Sequence, residues 1–203
     1  PAKTQAALFE VMEERQITYD GVTHSMEFPF LVLATQNPIE QEGTYRLPEA
    51  QLDRFLFRVK LHYPTLTEEK EILLRYKDEI KSPDLSEIKA IFTVAVLKEI
   101  QETIRTVKVE DQLIKYIADI IHSTREHAKL YLGASPRASL ALLKSAKTLA
   151  AIRGRDFIIP DDVQFLANHV LNHRIVLSPE AEMEGLRTED IIQDILQKIE
   201  VPR

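Results

Sequence analysis

The run Phe30-Leu-Val-Leu-Ala34 constrains this chain more than any other segment. All five residues are apolar. In a strand, successive side chains point to opposite faces, so this one would bury both of them and belongs inside a sheet. Its surroundings support an α/β arrangement. Residues 4–14 carry Leu8, Val11 and Met12 at helical spacing. The β-prone runs Gln16–Tyr19 and Val22–Met26 are separated by Asp20-Gly21. That dipeptide is a strong hairpin signal, because a type I′ turn needs positive φ at both central residues. Further on, Phe55, Phe57, Val59 and Leu61 alternate with Leu56, Arg58 and Lys60, the pattern of an edge strand with one wetter face.

The pattern changes at Tyr63-Pro64, which sets the expected domain boundary: 1–63 is α/β and 64–203 is all-helical. Thr67 is expected to cap a helix with Glu68 and Glu69 in its first turn, favourable against the helix dipole. Ile72, Leu73, Tyr76 and Ile80 form its expected buried stripe. Helices follow over 94–105 and 110–127. The next is framed by Ser135 as N-cap, Pro136 at the first position and Gly154 just past the end. Pro160-Asp161-Asp162 opens another, and Thr188 opens the last, which ends before Pro202.

Composition narrows the class. Of the 203 residues 44% are hydrophobic, enough for a sizeable core, yet no run of 18 apolar residues occurs to cross a membrane. There is no cysteine, which removes disulfides and thiolate metal sites and fits the cytoplasm. The net charge is −6, with both signs interspersed. A nucleic-acid partner is therefore not expected, since phosphate binding calls for a basic stripe. The opening Pro1-Ala2-Lys3-Thr4-Gln5 has no apolar leader and reads as the continuation of something longer.

Three segments in chain order resemble an AAA+ ATPase: Leu31-Val-Leu-Ala-Thr-Gln-Asn37-Pro38, Leu47-Pro-Glu-Ala-Gln-Leu-Asp53-Arg54-Phe55 and Gly133-Ala-Ser-Pro136-Arg137-Ala. The run from Ala34 to Phe55, with Ile39-Glu-Gln-Glu-Gly43-Thr-Tyr45, is similar to the MoxR branch, as is Lys3-Thr-Gln5 through Met12-Glu-Glu-Arg15-Gln16. Arg46 departs from the family, which more often has proline there. The resemblance implies a partial P-loop AAA+ core (hairpin, buried strand, edge strand) followed by a C-terminal helical lid domain.

It also implies roles. Asn37 would be the sensor 1 residue at the end of a buried strand, where open α/β sheets bind ligands, orienting water or touching a γ-phosphate. An asparagine that merely turns the chain before Pro38 is the plain alternative. Arg54 would be the arginine finger, reaching a neighbouring subunit's ATP to neutralise transition-state charge. Its plain alternative is an ion pair with Asp53 or Glu49. Arg137, in the first turn of a helix capped by Ser135, would be sensor 2 on the lid, touching ATP of its own subunit where free N–H groups and the dipole favour an anion. Its alternative is an exposed arginine.

Two motifs of such enzymes do not occur in these 203 residues. The glycines at 21, 43, 133, 154 and 185 form no Gly-x-x-x-x-Gly-Lys-Ser/Thr loop, and no strand ends in a Walker B acid pair. Ile158-Ile-Pro-Asp161-Asp162 imitates the latter, but a proline would interrupt the strand, and acids suit a helix's first turn without a metal. His169 and His173 have the four-residue spacing of zinc ligands but no companion ligand, so packing is expected. No metal site is expected in this chain, and ATP and Mg²⁺ would be held mainly by residues upstream. Because an AAA+ sheet puts the Leu31–Ala34 strand between two earlier strands, residues 1–62 alone are not expected to fold natively, whereas the helical part can.

The function implied is that of an ATPase forming a ring homo-oligomer, expected to be a hexamer, that remodels or matures client proteins, with von Willebrand A domains among the expected clients. The 16–28 hairpin resembles the insertion before sensor 1 of this branch, positioned to push on a client; simple sheet-edge packing is its alternative. Rival readings are a magnesium-chelatase-like or helicase-like motor, or a non-catalytic lid and interface fragment.

Overall fold

A computed structural model describes residues 2–36, 47–77, 85, 86 and 88–202, with side chains described from residue 7 onward. Helix α1 (Ala2–Glu14) leads into strands β1 (Gln16–Tyr19) and β2 (Val22–Ser25). The two strands pair antiparallel, Gln16 opposite Ser25 and Tyr19 opposite Val22. Asp20 and Gly21 sit at φ 49° and 76°, the positive values the Asp-Gly turn requires. Among the described side chains of α1, Phe9 and Val11 are buried whereas Leu8 is exposed, so of the expected apolar face Val11 is buried and Leu8 is not.

The 30–34 segment departs from expectation. It carries no ladder, and Leu31 and Leu33 are 78% and 87% exposed. A strand exists only through a partner's N–H and C=O groups, and β1 and β2 use each other. The expected edge strand at 55–61 is likewise extended without pairing, and Val59 and Leu61 are exposed. Between these segments, α2 (Glu49–Leu52) is one turn long and begins after Pro48.

Helix α3 (Leu66–Tyr76) starts two residues earlier than expected. Thr65 is its N-cap, in a capping box with Glu68: Thr65 Oγ1 accepts from the Glu68 N–H, and the Glu68 carboxylate accepts from the Thr65 N–H at 2.7 Å. The Thr67 reading missed that a capping box needs its Glu three residues after the cap. The expected stripe is not buried, since Ile72, Leu73 and Tyr76 are all exposed; Ile80 lies outside the described residues.

The remainder forms the expected helices, with a short strand pair and an additional short helix that the sequence reading did not include. Helices α4 (Val94–Thr106), α5 (Asp111–Glu126), α6 (Pro136–Ile152), α7 (Pro160–Leu171), α8 (Pro179–Met183) and α9 (Thr188–Lys198) are joined by a short antiparallel pair, β3 (Leu130–Leu132) with β4 (Val176–Leu177). The apolar faces of α5 to α9 make one contiguous core in which Tyr116, Ile120 and Ile121 of α5, Leu142 of α6, Val163 and Val170 of α7 and Ile192 of α9 are almost fully buried, whereas α4 buries no residue. Gly154 follows α6 at φ 73°, a left-handed cap that glycine takes without steric cost.

Candidate functional site

The site lies where α1, the 53–58 segment and the N-terminus of α6 meet. Helix α6 starts there for local reasons. Pro136 fills a position whose N–H needs no partner, and Ser135 Oγ accepts from the Arg137 N–H at 3.2 Å. The preceding loop is held by Thr124, whose Oγ1 accepts from the Ala134 N–H at 2.9 Å, and by Arg125 Nε, which donates to the Ala134 carbonyl at 2.9 Å. Gly133 passes so close to α5 that a Cβ would stand 2.6 Å from Arg125 Cα. A side chain cannot be accommodated there, which is why glycine opens the Gly133–Arg137 segment.

Arg54 and Arg137 come together on one carboxylate. Arg54 Nη1 pairs with Glu13 Oε2 and Arg137 Nη2 with Glu13 Oε1. Neither sequence candidate for the Arg54 partner, Asp53 or Glu49, is the one used. Both arginines keep partly open side chains, 29% and 48% exposed. They line a shallow cleft with Glu10, Glu13 and Glu14 of α1 and Gln51 of α2. Asn37 lies outside the described residues.

Asp53 forms a second centre behind the first. Its Oδ2 accepts from Ser135 Oγ at 2.8 Å and faces Arg137 Nη1 at 3.7 Å, while its Oδ1 accepts from Arg174 Nε at 2.9 Å. Arg174, just beyond α7, is 2% exposed at its side chain. Its Nη groups donate to the carbonyls of Asp53 at 3.1 Å, Phe55 at 2.6 Å and Leu56 at 3.1 Å, and to Val170. Burial works against the charge of this guanidinium and lowers its pKa, with Asp53 opposing that shift. Next to it, His173 Nε2 donates to the Phe55 carbonyl at 3.0 Å. Burial pushes the His173 pKa down to about 4, Arg174 and Arg58 adding to the shift while Phe55 and Asp53 oppose it, so the ring is neutral at pH 7. Asn172 Nδ2 and the His169 carbonyl reach Arg58 at 3.5 and 3.2 Å.

His173 is thus committed to a backbone carbonyl, and His169 packs against Phe165 with ring centroids 5.9 Å apart. The Walker B look-alike is part of the lid. Asp162 is fully buried and accepts from Arg153 at 3.0 Å, from Arg155 at 2.6 and 2.8 Å and from the Ile159 N–H at 3.0 Å. Burial would raise its pKa, but these bonds and the two arginine charges outweigh burial and hold it below the ordinary carboxylate value. Among the described residues no group of three or more His, Cys, Asp or Glu side chains could hold a metal ion, and no helix is long and apolar enough to cross a membrane.

Sequence reasoning reached Arg54 and Arg137 through their motifs and missed Glu13 and Arg174. Nothing in the run Met12-Glu13-Glu14-Arg15 distinguishes one helix glutamate from its neighbour, and Arg174 sits among ordinary residues at a helix end. Its one signal is an arginine placed between buried positions, His173 and Ile175, where a charge needs a dedicated partner.

The model of the ATPase family associated with various cellular activities (AAA) matches residues 1–57, and that of the AAA lid domain matches residues 122–195. The Bacillus subtilis protein YeaC is 44% identical over 98% of this chain, which spans 62% of it. Chaperone MoxR1 of Mycobacterium tuberculosis is 42% identical over the whole chain, which spans 55% of it. A crystal structure from Cytophaga hutchinsonii, assigned as an ATPase, superposes with a TM-score of 0.89 at 40% identity, over all of this chain and 63% of that one. The chain thus spans less than two thirds of the length of these relatives. With residues 1–57 matching the AAA ATPase family, residues 122–195 matching its lid domain and a MoxR chaperone 42% identical over the whole chain, the chain belongs to the MoxR-type AAA+ ATPases.

Proposed function

We propose that this chain is the finger-and-lid portion of an ATPase that works as a ring, a hexamer by family analogy, and couples ATP hydrolysis to chaperone-like remodelling of client proteins. The name of the Mycobacterium tuberculosis relative, a chaperone, supports the remodelling role, and von Willebrand A domain proteins are the client class we favour. The working compartment we propose is the cytoplasm, in keeping with a chain without cysteine.

The observation that carries the mechanism is the convergence of Arg54 and Arg137 on Glu13. An arginine finger acts on a nucleotide held by another subunit, so a second arginine sharing its carboxylate is placed to serve that same nucleotide. This favours the neighbour's ATP for Arg137 over the ATP of its own subunit. A phosphate group carries more charge and more acceptors than one carboxylate and accepts planar guanidinium forks. It would draw both arginines from Glu13, which returns as their partner once phosphate leaves. The donor set fits phosphate oxygens. Bound ATP supplies the transferable γ-phosphoryl group, with Mg²⁺ neutralising part of its charge. In this chain Arg54 stabilises charge on the transferring group, Arg137 orients it, and Asn37 positions the attacking water.

The test is made on the full-length protein. Arg54→Ala should bind ATP as the wild type does and lose turnover by about 10³-fold or more, the range for arginine fingers. Arg137→Ala should also be restored in mixed rings by neighbours with intact arginines. Wild-type turnover by Arg54→Ala at every protein concentration would remove the basis of this reading.

A further inference from the structure

We propose that Arg174 is a positioning residue for ATP turnover, acting through Asp53 to hold Arg54 and the Arg137-bearing end of α6 as one unit. This rests on the reading of Arg54 as the finger serving a neighbouring subunit.

A guanidinium has five N–H donors and no acceptor. Arg174 makes five hydrogen bonds, and four end on residues 53–56: the Asp53 carboxylate and the carbonyls of Asp53, Phe55 and Leu56. A guanidinium buried to this extent is tolerated only when its donors are satisfied. The 53–56 segment follows a single helical turn and belongs to no sheet. Its N–H groups at Asp53, Arg54 and Phe55 bond back to the carbonyls of Glu49, Gln51 and Leu52. Its carbonyls are held from the end of α7, by Arg174 and by His173 on the Phe55 carbonyl.

The lid core does not require this arrangement. Its apolar cluster is drawn from residues 107–199 and includes nothing from the 53–56 segment. A well-packed apolar residue could fill a buried site as stably as an ion pair does. A rigid fork with four fixed acceptors instead specifies where the next residue, Arg54, begins. Asp53 carries the constraint further. Its second oxygen accepts from Ser135 Oγ, and Ser135 caps the helix whose first turn presents Arg137. One buried cation thus sets both exposed ones, and a displacement of about 1 Å in a catalytic group costs on the order of 10²-fold in rate. The link also means that any lid movement carries the finger with it.

The experiment uses the full-length protein as its ring. Arg174→Lys keeps the charge and loses the fork. Expected are unchanged assembly and ATP affinity, KM within about twofold, and kcat lowered by roughly 10–100-fold. Combining it with Arg54→Ala should add nothing further. In mixed rings, Arg174→Lys subunits should regain turnover at their own nucleotide sites when flanked by subunits that cannot bind nucleotide but keep their arginines. A purely structural role in its own subunit would give no such rescue. Asp53→Asn removes the charge at the other end of the link and provides a second reading if Arg174→Lys fails to assemble. Wild-type kcat in an assembling variant, or a loss that neighbours do not rescue, overturns the proposal. If Arg54→Ala itself turns over normally, the finger reading falls. If Arg54→Ala is inactive while Arg174→Lys and Asp53→Asn are normal, only the positioning role falls.

Discussion

Ser135 and Asp53, 82 residues apart in sequence, are joined by a hydrogen bond of 2.8 Å from the serine hydroxyl to Oδ2 of the carboxylate. The same hydroxyl accepts from the Arg137 N–H and caps α6. Two roles in one atom can be separated by substitution. Ser135→Ala loses both and should cost about 1–2 kcal/mol, the usual range for a lost cap. Ser135→Asp keeps a capping oxygen but sets a second carboxylate against Asp53. It should retain the α6 helix while weakening the tie to the 53–58 segment. Thermal unfolding reads the first effect, and amide exchange at residues 53–58 reads the second. Equal exchange in wild type and Ser135→Asp would show that the tie holds nothing.

Gly133 should not tolerate a methyl group. A Cβ there would stand 2.6 Å from Arg125 Cα and 2.7 Å from the Thr124 carbonyl oxygen, and backbone cannot swing aside as a side chain can. Gly133→Ala should cost about 1–3 kcal/mol, the range for overpacking. Gly154→Ala is the control. That position is open in space but has φ 73°, so its cost is conformational, about 1–2 kcal/mol for a left-handed residue. Denaturation midpoints of the two variants measure both. Only Gly133→Ala should also loosen the loop that leads into Arg137.

His173 gives the lid a pH dependence of definite sign. Its pKa falls from 6.5 to about 4 on folding, chiefly by burial, so the folded state prefers the neutral ring. The stabilisation is complete above pH 6.5 and is lost progressively as pH falls from 6.5 through about 4. At 1.36 kcal/mol per unit the whole shift corresponds to about 3 kcal/mol. Carboxylates lose their own contributions toward the acid end of this window, so the comparison is with His173→Gln, which cannot titrate. Stability of the variant should vary less between pH 6.5 and 4.5 than that of the wild type. Parallel curves would rule the histidine out as a source.

Asp162 should be worth more to stability than an ordinary helix-cap acid. Its carboxylate has no exposed surface and accepts from Arg153, Arg155 and the Ile159 N–H. Asp162→Asn leaves Arg155, only 21% exposed, facing a neutral amide. The expected loss is about 1.5–3 kcal/mol, the range for hydrogen bonds to charged groups. Chemical denaturation checks it, with Asp161→Asn expected to change stability by under about 0.5 kcal/mol as a surface substitution. A role in nucleotide chemistry would instead show as lost turnover at unchanged stability.

The sequence by itself determined the elements whose signals are local. Asp20-Gly21 made its hairpin because two adjacent residues with positive φ suffice to set the turn. Ser135-Pro136 and Pro160-Asp161-Asp162 began their helices because capping and the first turn are decided within four residues. Arg54 and Arg137 were singled out by resemblance to family motifs, and the structure brings both to Glu13. The tertiary structure alone decided what depends on distant partners. Phe30–Ala34 has a strand's composition but pairs with nothing among the described residues, since ladder bonds come from another strand and not from side-chain pattern. Glu13 was chosen over Asp53 and Glu49 as the partner of Arg54 by the packing of α1. Arg174 received its acceptors from residues 118 to 121 positions away, a relation that no local pattern encodes.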